Sequence, residues 1–299
     1  MASISSKIIH IFLKTIQFNT RLAKEISSPN FGKEKHPEIP KRWIQRYHIE
    51  TLVLNNQKMY IWQGQKKKHQ PIIFYIHGGA FVQRQNSLHF HLFKKLVSRI
   101  GCIVIAPDYP LVPHAHVDEI YKHLTLCYEK AKDLYKNQPM IWMGDSAGGG
   151  IALGLAKLMH QEQGLIDQKI MLLSPWLDVS MNDPKIVEIQ KQDAILNHDT
   201  LQKIGKLYVG SHALNDAIVN PLVGSFSGIK HIAVWSGTYD ILYADALALK
   251  EKVSKEGVTL DMHIYENMLH TWIYFGITES KQAMNEIDQT ILQMSEIKT

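Results

Sequence analysis

Only two cysteines, Cys102 and Cys127, occur in 299 residues. That excludes a disulfide-stapled scaffold and leaves no cysteine cluster for a structural metal. One falls on an expected strand and the other on an expected helix, the pattern of buried, reduced thiols in a cytoplasmic protein. The 16 histidines do not make up the shortfall. His89-Phe90-His91 is a lone pair with no third ligand at metal spacing, so no metal is expected. Long apolar runs are missing too: a membrane-spanning helix needs roughly 20 such residues, and no segment has them. The stretch Ile8-Ile9-His10-Ile11-Phe12-Leu13 is short and flanked by Lys7 and Lys14. No small-residue cleavage site follows it, so a secretory signal is not expected. Ile4, Ile8, Ile11, Phe12 and Ile16 recur at helical spacing. An amphipathic helix packed on the protein's own body is the expectation, and membrane contact is not expected.

Charge of one sign is lacking as well. The net charge is +5, and the basic runs (Lys33-Glu34-Lys35, Lys41-Arg42 and Lys66-Lys67-Lys68) are scattered. The last lies between two strand-like stretches and reads as a solvated hairpin turn. No RNA- or DNA-binding motif accompanies these runs, so nucleic acid is not an expected partner. With 45% apolar and 20% charged residues, the composition is that of an ordinary globular protein. A chain of this length can bury roughly three quarters of the surface its unfolded form exposes.

The chain is organised by alternation. After a polar stretch from Ser27 to Pro40, strand patterns cover Tyr47–Leu54 and Lys58–Trp62. The continuous apolar run Ile72–Ile76 suits the middle of a sheet. Helix and strand patterns then take turns: helix Leu88–Ile100, strand Ile103–Ala106, helix Glu119–Tyr135, strand Met140–Met143, helix Ala147–His160 and strand Ile170–Leu173. Such alternation implies right-handed crossovers and a mainly parallel sheet. It breaks from Leu177 to about Ser227, where no buried strand is evident. It resumes with strand His231–Trp235, helix Asp245–Glu256, strand Leu260–Tyr265 and a last helix near Ser280–Met294. The break reads as a cap inserted into a sheet domain.

The strongest motif is Gly144-Asp145-Ser146-Ala147-Gly148, between an expected strand and an expected helix. A turn this sharp strains the central serine, exposes its oxygen and demands glycine on both sides. The helix N-terminus adds positive partial charge beside any anion formed there. A phosphate loop would want a Gly-x-x-x-x-Gly-Lys pattern, and no lysine follows. His77-Gly78-Gly79-Ala80 ends the central strand. Its glycines can turn backbone N–H groups towards an oxyanion, with Gly78, Gly79 and Ala147 as the candidate donors. Serine also needs a base, and the base an acid to fix its tautomer. In such sheets these follow in the order Ser, Asp or Glu, His. Asp240, just past the strand ending at Trp235, and His270, just past the last strand, fit that order at the edge where sheets of this class place their sites. Asp261 and His263 lie within a strand, Asp245 reads as a helix cap, and His231 lies at the opposite edge. Phe81 and Trp176 are candidates for an acyl pocket. Asp145 reads as a residue that stabilises the turn.

Together these residues resemble the hormone-sensitive-lipase group of α/β-hydrolases, which includes many bacterial esterases. The likeness rests on His77-Gly78-Gly79, on Gly144-Asp145-Ser146-Ala147-Gly148-Gly149 and on Leu173-Ser174-Pro175-Trp176. The surroundings of Asp240 and His270 fit too, and the matched stretch runs from about residue 70 to 275. The resemblance implies an α/β-hydrolase fold with a mostly parallel, eight-stranded sheet flanked by helices. Residues 46–176 and 228–299 would form that catalytic domain, capped by helices from residues 1–45 and by the insertion 177–227. It also implies cofactor-free hydrolysis of small acyl esters with short or medium chains. An amidase or peptidase on the same triad stays open, as does a non-catalytic small-molecule receptor, which plant relatives lacking the histidine exemplify. Self-association into a homo-oligomer stays open too. Two departures stand out. Ala80 replaces a frequent third glycine. Pro110-Leu111-Val112-Pro113-His114 follows Asp108-Tyr109 where relatives commonly show Arg-Leu-Ala-Pro-Glu, which removes an expected structural ion pair.

Overall fold

The computed structural model describes residues 2–28, 30–32, 36–65, 70–136 and 138–295. Lys33–Lys35 and the Lys66–Lys68 turn lie outside the described residues. Three helices come first: α1 (Ile4–Thr15), α2 (Arg21–Ile26) and α3 (Lys41–Arg46). Strands β1 (Glu50–Leu54) and β2 (Gln57–Trp62) form a hairpin. Its two turn residues, Asn55 and Asn56, both have left-handed backbone, as a tight two-residue hairpin requires. The strand expected from Tyr47 starts at Glu50 instead, because Tyr47–Ile49 carry the chain out of α3 with a left-handed residue at His48.

Then come β3 (Ile72–Ile76), α4 (Ser87–Ile100), β4 (Ile103–Pro107), α5 (Val117–Leu134), β5 (Ile141–Asp145), α6 (Ala147–Gln163) and β6 (Gln168–Leu173). Helices α7 (Lys185–Gln190) and α8 (His198–Tyr208) occupy the inserted stretch, which holds no strand among its described residues. Strand β7 (Ile229–Gly237), α9 (Tyr243–Val253), β8 (Thr259–Tyr265) and α10 (Thr278–Met294) complete the chain.

The eight strands form one sheet in the order β1-β2-β4-β3-β5-β6-β7-β8. Only β2 runs against its neighbours β1 and β4; the pairs from β4 to β8 are parallel. Side chains alternate across it. Phe74, Trp142 and Leu172 pack on one face with α5 and α6, while Tyr75, Met143 and Leu173 pack on the other with α4 and α10. Helix α4 shows how local sequence sets the boundaries. The Asn86 side chain caps its first turn by accepting from Leu88 N–H at 2.9 Å, and Gly101 ends it in left-handed conformation. From β3 the chain winds outward to β4, then returns to place β5 on the other side of β3. That reversal opens a crevice at the C-terminal ends of β3 and β5. Cys102 and Cys127 are free and buried.

Helix α1 differs from expectation. Its apolar stripe faces solvent: Ile4 is 78%, Ile8 60%, Ile11 65%, Phe12 60% and Ile16 49% exposed. The physical reason lies on the opposite face. Ser3 N–H and Oγ donate to the Glu279 carboxylate of α10, and the Ser6 hydroxyl donates to Met268 Sδ. His10 Nε2 reaches Gln192 O at 2.8 Å, and Lys14 Nζ donates to Lys191 O. These polar anchors, with Ile9 packed on the core and Leu13 on the cavity, fix which side of α1 faces the body. No described helix is long and apolar enough to cross a membrane.

Candidate active site

Ser146 sits between β5 and α6 at φ 52°, ψ −125°, a strained conformation for a residue with a Cβ. The turn is held from below: Ser146 N–H donates to Leu173 O, and Ser146 O accepts from Trp176 N–H, both at 2.9 Å. Glycine is required on either side. A Cβ on Gly144 would lie 2.4 Å from Gly148 O, and one on Gly148 would lie 2.2 Å from Ile76 O.

The structure brings Ser146, His270 and Asp240 together. Ser146 Oγ lies 3.0 Å from His270 Nε2, and His270 Nδ1 lies 2.8 Å from Asp240 Oδ2. Asp240 is wholly buried, and its other oxygen accepts Leu242 N–H. The loops carrying Asp240 and His270 are laced to each other: Thr238 N–H donates to Tyr265 O and Tyr239 N–H to Met268 O. Burial, the largest influence on His270, disfavours its charged form. The negative charge and hydrogen bond of Asp240, with Asp193 and Asp145 behind it, outweigh burial and raise its pKa above the ordinary value. Asp216, another carboxylate of the chain, lies with His212 in the insertion instead.

The glycine turn departs from expectation in one donor. Gly78 N–H is taken by Asp145 Oδ1 at 2.8 Å, so it does not serve the cavity. Gly79, at φ 113°, and Ala80, at φ 52°, line the cavity beside Ser146. Ala147 follows Ser146 at the start of α6. A Cβ on Gly79 would lie 2.7 Å from Gln83 O, so this position needs glycine for both φ and space. Ala80 and Phe81 also hold positive φ, strain that gathers where the turn passes the serine.

The cavity above Ser146 has a volume of about 630 Å³. Its floor is the serine, His270 and the glycine turn. Leu13, Phe18 and Leu22 enter from the N-terminal helices, and Ile195, Leu196 and Leu201 from the insertion. Phe81 and Trp176 are not among its walls. Both are buried, with Phe81 stacked on Tyr208 of α8 at 3.7 Å between ring centres and 5.1 Å from the Trp176 ring. Their rings join the insertion to the sheet domain.

Other polar residues support this architecture. Asp245 does not cap its own helix: it accepts Leu177 and Asp178 N–H and so anchors the start of the insertion. Asp193, missed in the sequence, anchors its middle by accepting Ile195, Leu196 and Ile241 N–H. Asp108 is met by His36 Nδ1 at 2.7 Å, Gln85 Nε2 at 3.0 Å and Arg84 at 3.8 Å. Glu25 accepts from Gln83 Nε2 and ties α2 to the glycine turn. His231 pairs with Asp261, and His263 with Glu286, away from Ser146.

A family model described as alpha/beta hydrolase fold matches residues 73–274. An esterase of Acinetobacter venetianus is 31% identical over 226 residues, covering 72% of this chain and 73% of its own length. A triacylglycerol lipase of Mycobacterium tuberculosis is 28% identical over 201 residues, 66% of this chain but 41% of that longer protein. Among solved structures, a homologue of hormone-sensitive lipase from a metagenome library aligns with a TM-score of 0.82. It is 20% identical over 98% of this chain and 100% of that one.

Proposed function

Since the chain belongs to the α/β-hydrolase fold family, in the esterase group resembling hormone-sensitive lipase, we propose that it hydrolyses short-to-medium acyl esters through Ser146, His270 and Asp240. One observation carries the reading: an unbroken hydrogen-bonded line from buried Asp240 through His270 to Ser146 Oγ, ending in an open-mouthed, largely apolar cavity.

Ser146 Oγ attacks the ester carbonyl carbon while His270 Nε2 takes its proton. The carbonyl oxygen becomes an oxyanion and rests on the amides of Gly79, Ala80 and Ala147. One such donor is worth on the order of 10²–10³ in rate. Asp240 holds His270 in the tautomer that leaves Nε2 free to accept, and stabilises the imidazolium. The intermediate collapses, the C–O bond to the alcohol breaks, and His270 returns the proton to the leaving oxygen. Water then attacks the acyl-enzyme with His270 again as base. This releases the carboxylic acid and restores Ser146. No cofactor is needed for these steps. The two buried thiols fit a reducing compartment, so a cytoplasmic site of action belongs to the proposal.

The test combines labelling with turnover. A fluorophosphonate should modify Ser146 and no other serine, as read by peptide mass. Nitrophenyl esters of graded acyl length should be turned over, with Ser146→Ala slower on the order of 10⁶-fold at unchanged stability. Wild-type-like turnover in Ser146→Ala would remove the assignment.

A further inference from the structure

Helix α1 sets Ile9 and Leu13 against the body but turns most of its large apolar side chains outward. Ser3, Ser6, His10 and Lys14 tether its polar side to the body, leaving Ile4, Ile8, Ile11, Phe12 and Ile16 as one outward apolar stripe. A contiguous exposed patch of large apolar side chains marks a contact surface. Its electrostatic setting names the kind of partner. Residues 1–24 hold Lys7, Lys14, Arg21 and Lys24 and no aspartate or glutamate. All four cations are exposed.

We propose that the outward face of α1 docks the protein on an anionic lipid surface. The stripe enters the boundary between headgroups and acyl chains, and Lys7, Arg21 and Lys24, which are exposed and outside the tether, meet the lipid charge. A second copy suits this face poorly. In a symmetric pairing the patch meets itself, which sets the cations of one copy against those of the other with no acid in the segment to offset them. The face is also continuous with the cavity mouth: Leu13 follows Phe12, and Leu13, Phe18, Arg21 and Leu22 line the cavity. A docked molecule would hold that mouth at the lipid surface. Delivery of an ester from lipid to Ser146 rests on the hydrolase reading above, whereas docking does not.

The test is flotation of the full-length protein with vesicles of phosphatidylcholine alone or with about one third phosphatidylglycerol. Wild type is expected to float with the anionic vesicles, weakly with the neutral ones, and to be released as salt rises from about 0.05 to about 0.5 M. The double variant Ile8→Ser, Phe12→Ser alters two side chains that do not line the cavity. It should lower the bound-to-free ratio at least about tenfold, while kcat/KM on a water-soluble acetate ester and labelling of Ser146 stay at wild-type levels. Wild type remaining unbound with both vesicle types overturns the proposal. So does a variant that floats as well as wild type. A dimer that the double variant abolishes, in a protein that does not float, would also overturn it and give the face to a second copy. Flotation without any esterase activity would uphold docking and count against the hydrolase reading alone.

Discussion

Asp145 and Gly78 are joined by a 2.8 Å hydrogen bond, carboxylate to amide, so the turn after β3 hangs from the residue that precedes Ser146. The same carboxylate oxygen accepts the Tyr75 hydroxyl at 2.8 Å, and His89 Nε2 stands 3.4 Å away. Burial pushes this carboxyl up, but His89, Tyr75 and the Gly78 amide together hold it below the usual carboxylate range. The Asp145 carboxylate therefore ties the turn that carries Gly79 and Ala80 to the strand end that leads into Ser146.

Asp145→Ala should leave Gly78 N–H without an acceptor in a dry site, at a cost of about 1–3 kcal/mol of stability. The loosened turn should lower kcat by roughly 10²-fold through misplaced donors. Asp145→Asn keeps an acceptor oxygen and should retain most of both. Denaturant midpoints and kcat for the two variants check this. An alanine variant as active as wild type would mean the turn is positioned by other contacts.

His270 must be neutral to accept the serine proton. Its raised pKa, favoured by Asp240 against the effect of burial, places the rising limb of kcat/KM above the ordinary histidine value of about 6.5. The same shift means that protonated His270 favours the folded state. That contribution is complete below about pH 6.5 and is lost as pH climbs through the folded pKa. Asp240→Asn should move the limb to lower pH and cut kcat by roughly 10⁴-fold through the wrong tautomer. A pH–rate profile for both proteins reads the two effects together. If the limb keeps its place in the variant, Asp240 is not the group that tunes His270.

Much of this arrangement was legible in the sequence because it is written locally. Ser146 lies in a five-residue motif, and the alternation of strands and helices puts Asp240 and His270 at the same edge of the sheet. What escaped depends on partners far along the chain. Gly78 looks like a free donor until Asp145, 67 residues later, takes its amide. Phe81 and Trp176 look like pocket walls until Tyr208 of the insertion stacks on Phe81. The stripe on α1 reads as a buried face because periodicity reports amphipathicity, not direction. The direction is set by Glu279, Met268 and Gln192, more than 180 residues away. Asp108 meets His36 and Arg84, both upstream of Pro110–His114 and neither announced by the local sequence.

Leu13, Phe18 and Leu22 form one wall of the cavity, so removing residues 1–27 should open it on that side. Ser146 should stay reactive towards a small phosphonate, since Asp240 and His270 are held by loops of the sheet domain. Activity on longer acyl esters should change far more than activity on acetate, because the longer chain loses its apolar wall and gains water. The kcat/KM profile over acyl length, for full-length and truncated protein, makes the comparison. An unchanged profile would mean that the acyl group lies towards the insertion.

Asp193 links the insertion to the loop that carries Asp240. One of its oxygens accepts Ile195 and Leu196 N–H at 2.8 Å, and the other accepts Ile241 N–H at 2.9 Å, next to Asp240. Burial, and then the charge of Asp240, push its carboxyl above the usual carboxylate range, against the pull of these three amides. A carboxyl raised in the folded state favours folding while protonated. Stability is therefore lost as pH rises from about 4, where the unfolded group ionises, towards the higher folded pKa. Asp193→Asn has no charge to lose, so its Tm relative to wild type should improve over that range. A constant part of the difference should be unfavourable, because the amide nitrogen of asparagine cannot accept Ile241 N–H. Activity should respond separately: with one negative charge fewer beside His270, the kcat/KM limb should shift to lower pH. Thermal unfolding of both proteins at several pH values, with pH–rate profiles alongside, measures each part. A Tm difference that does not vary with pH would show that Asp193 ionises without cost, with its three amides outweighing burial and Asp240.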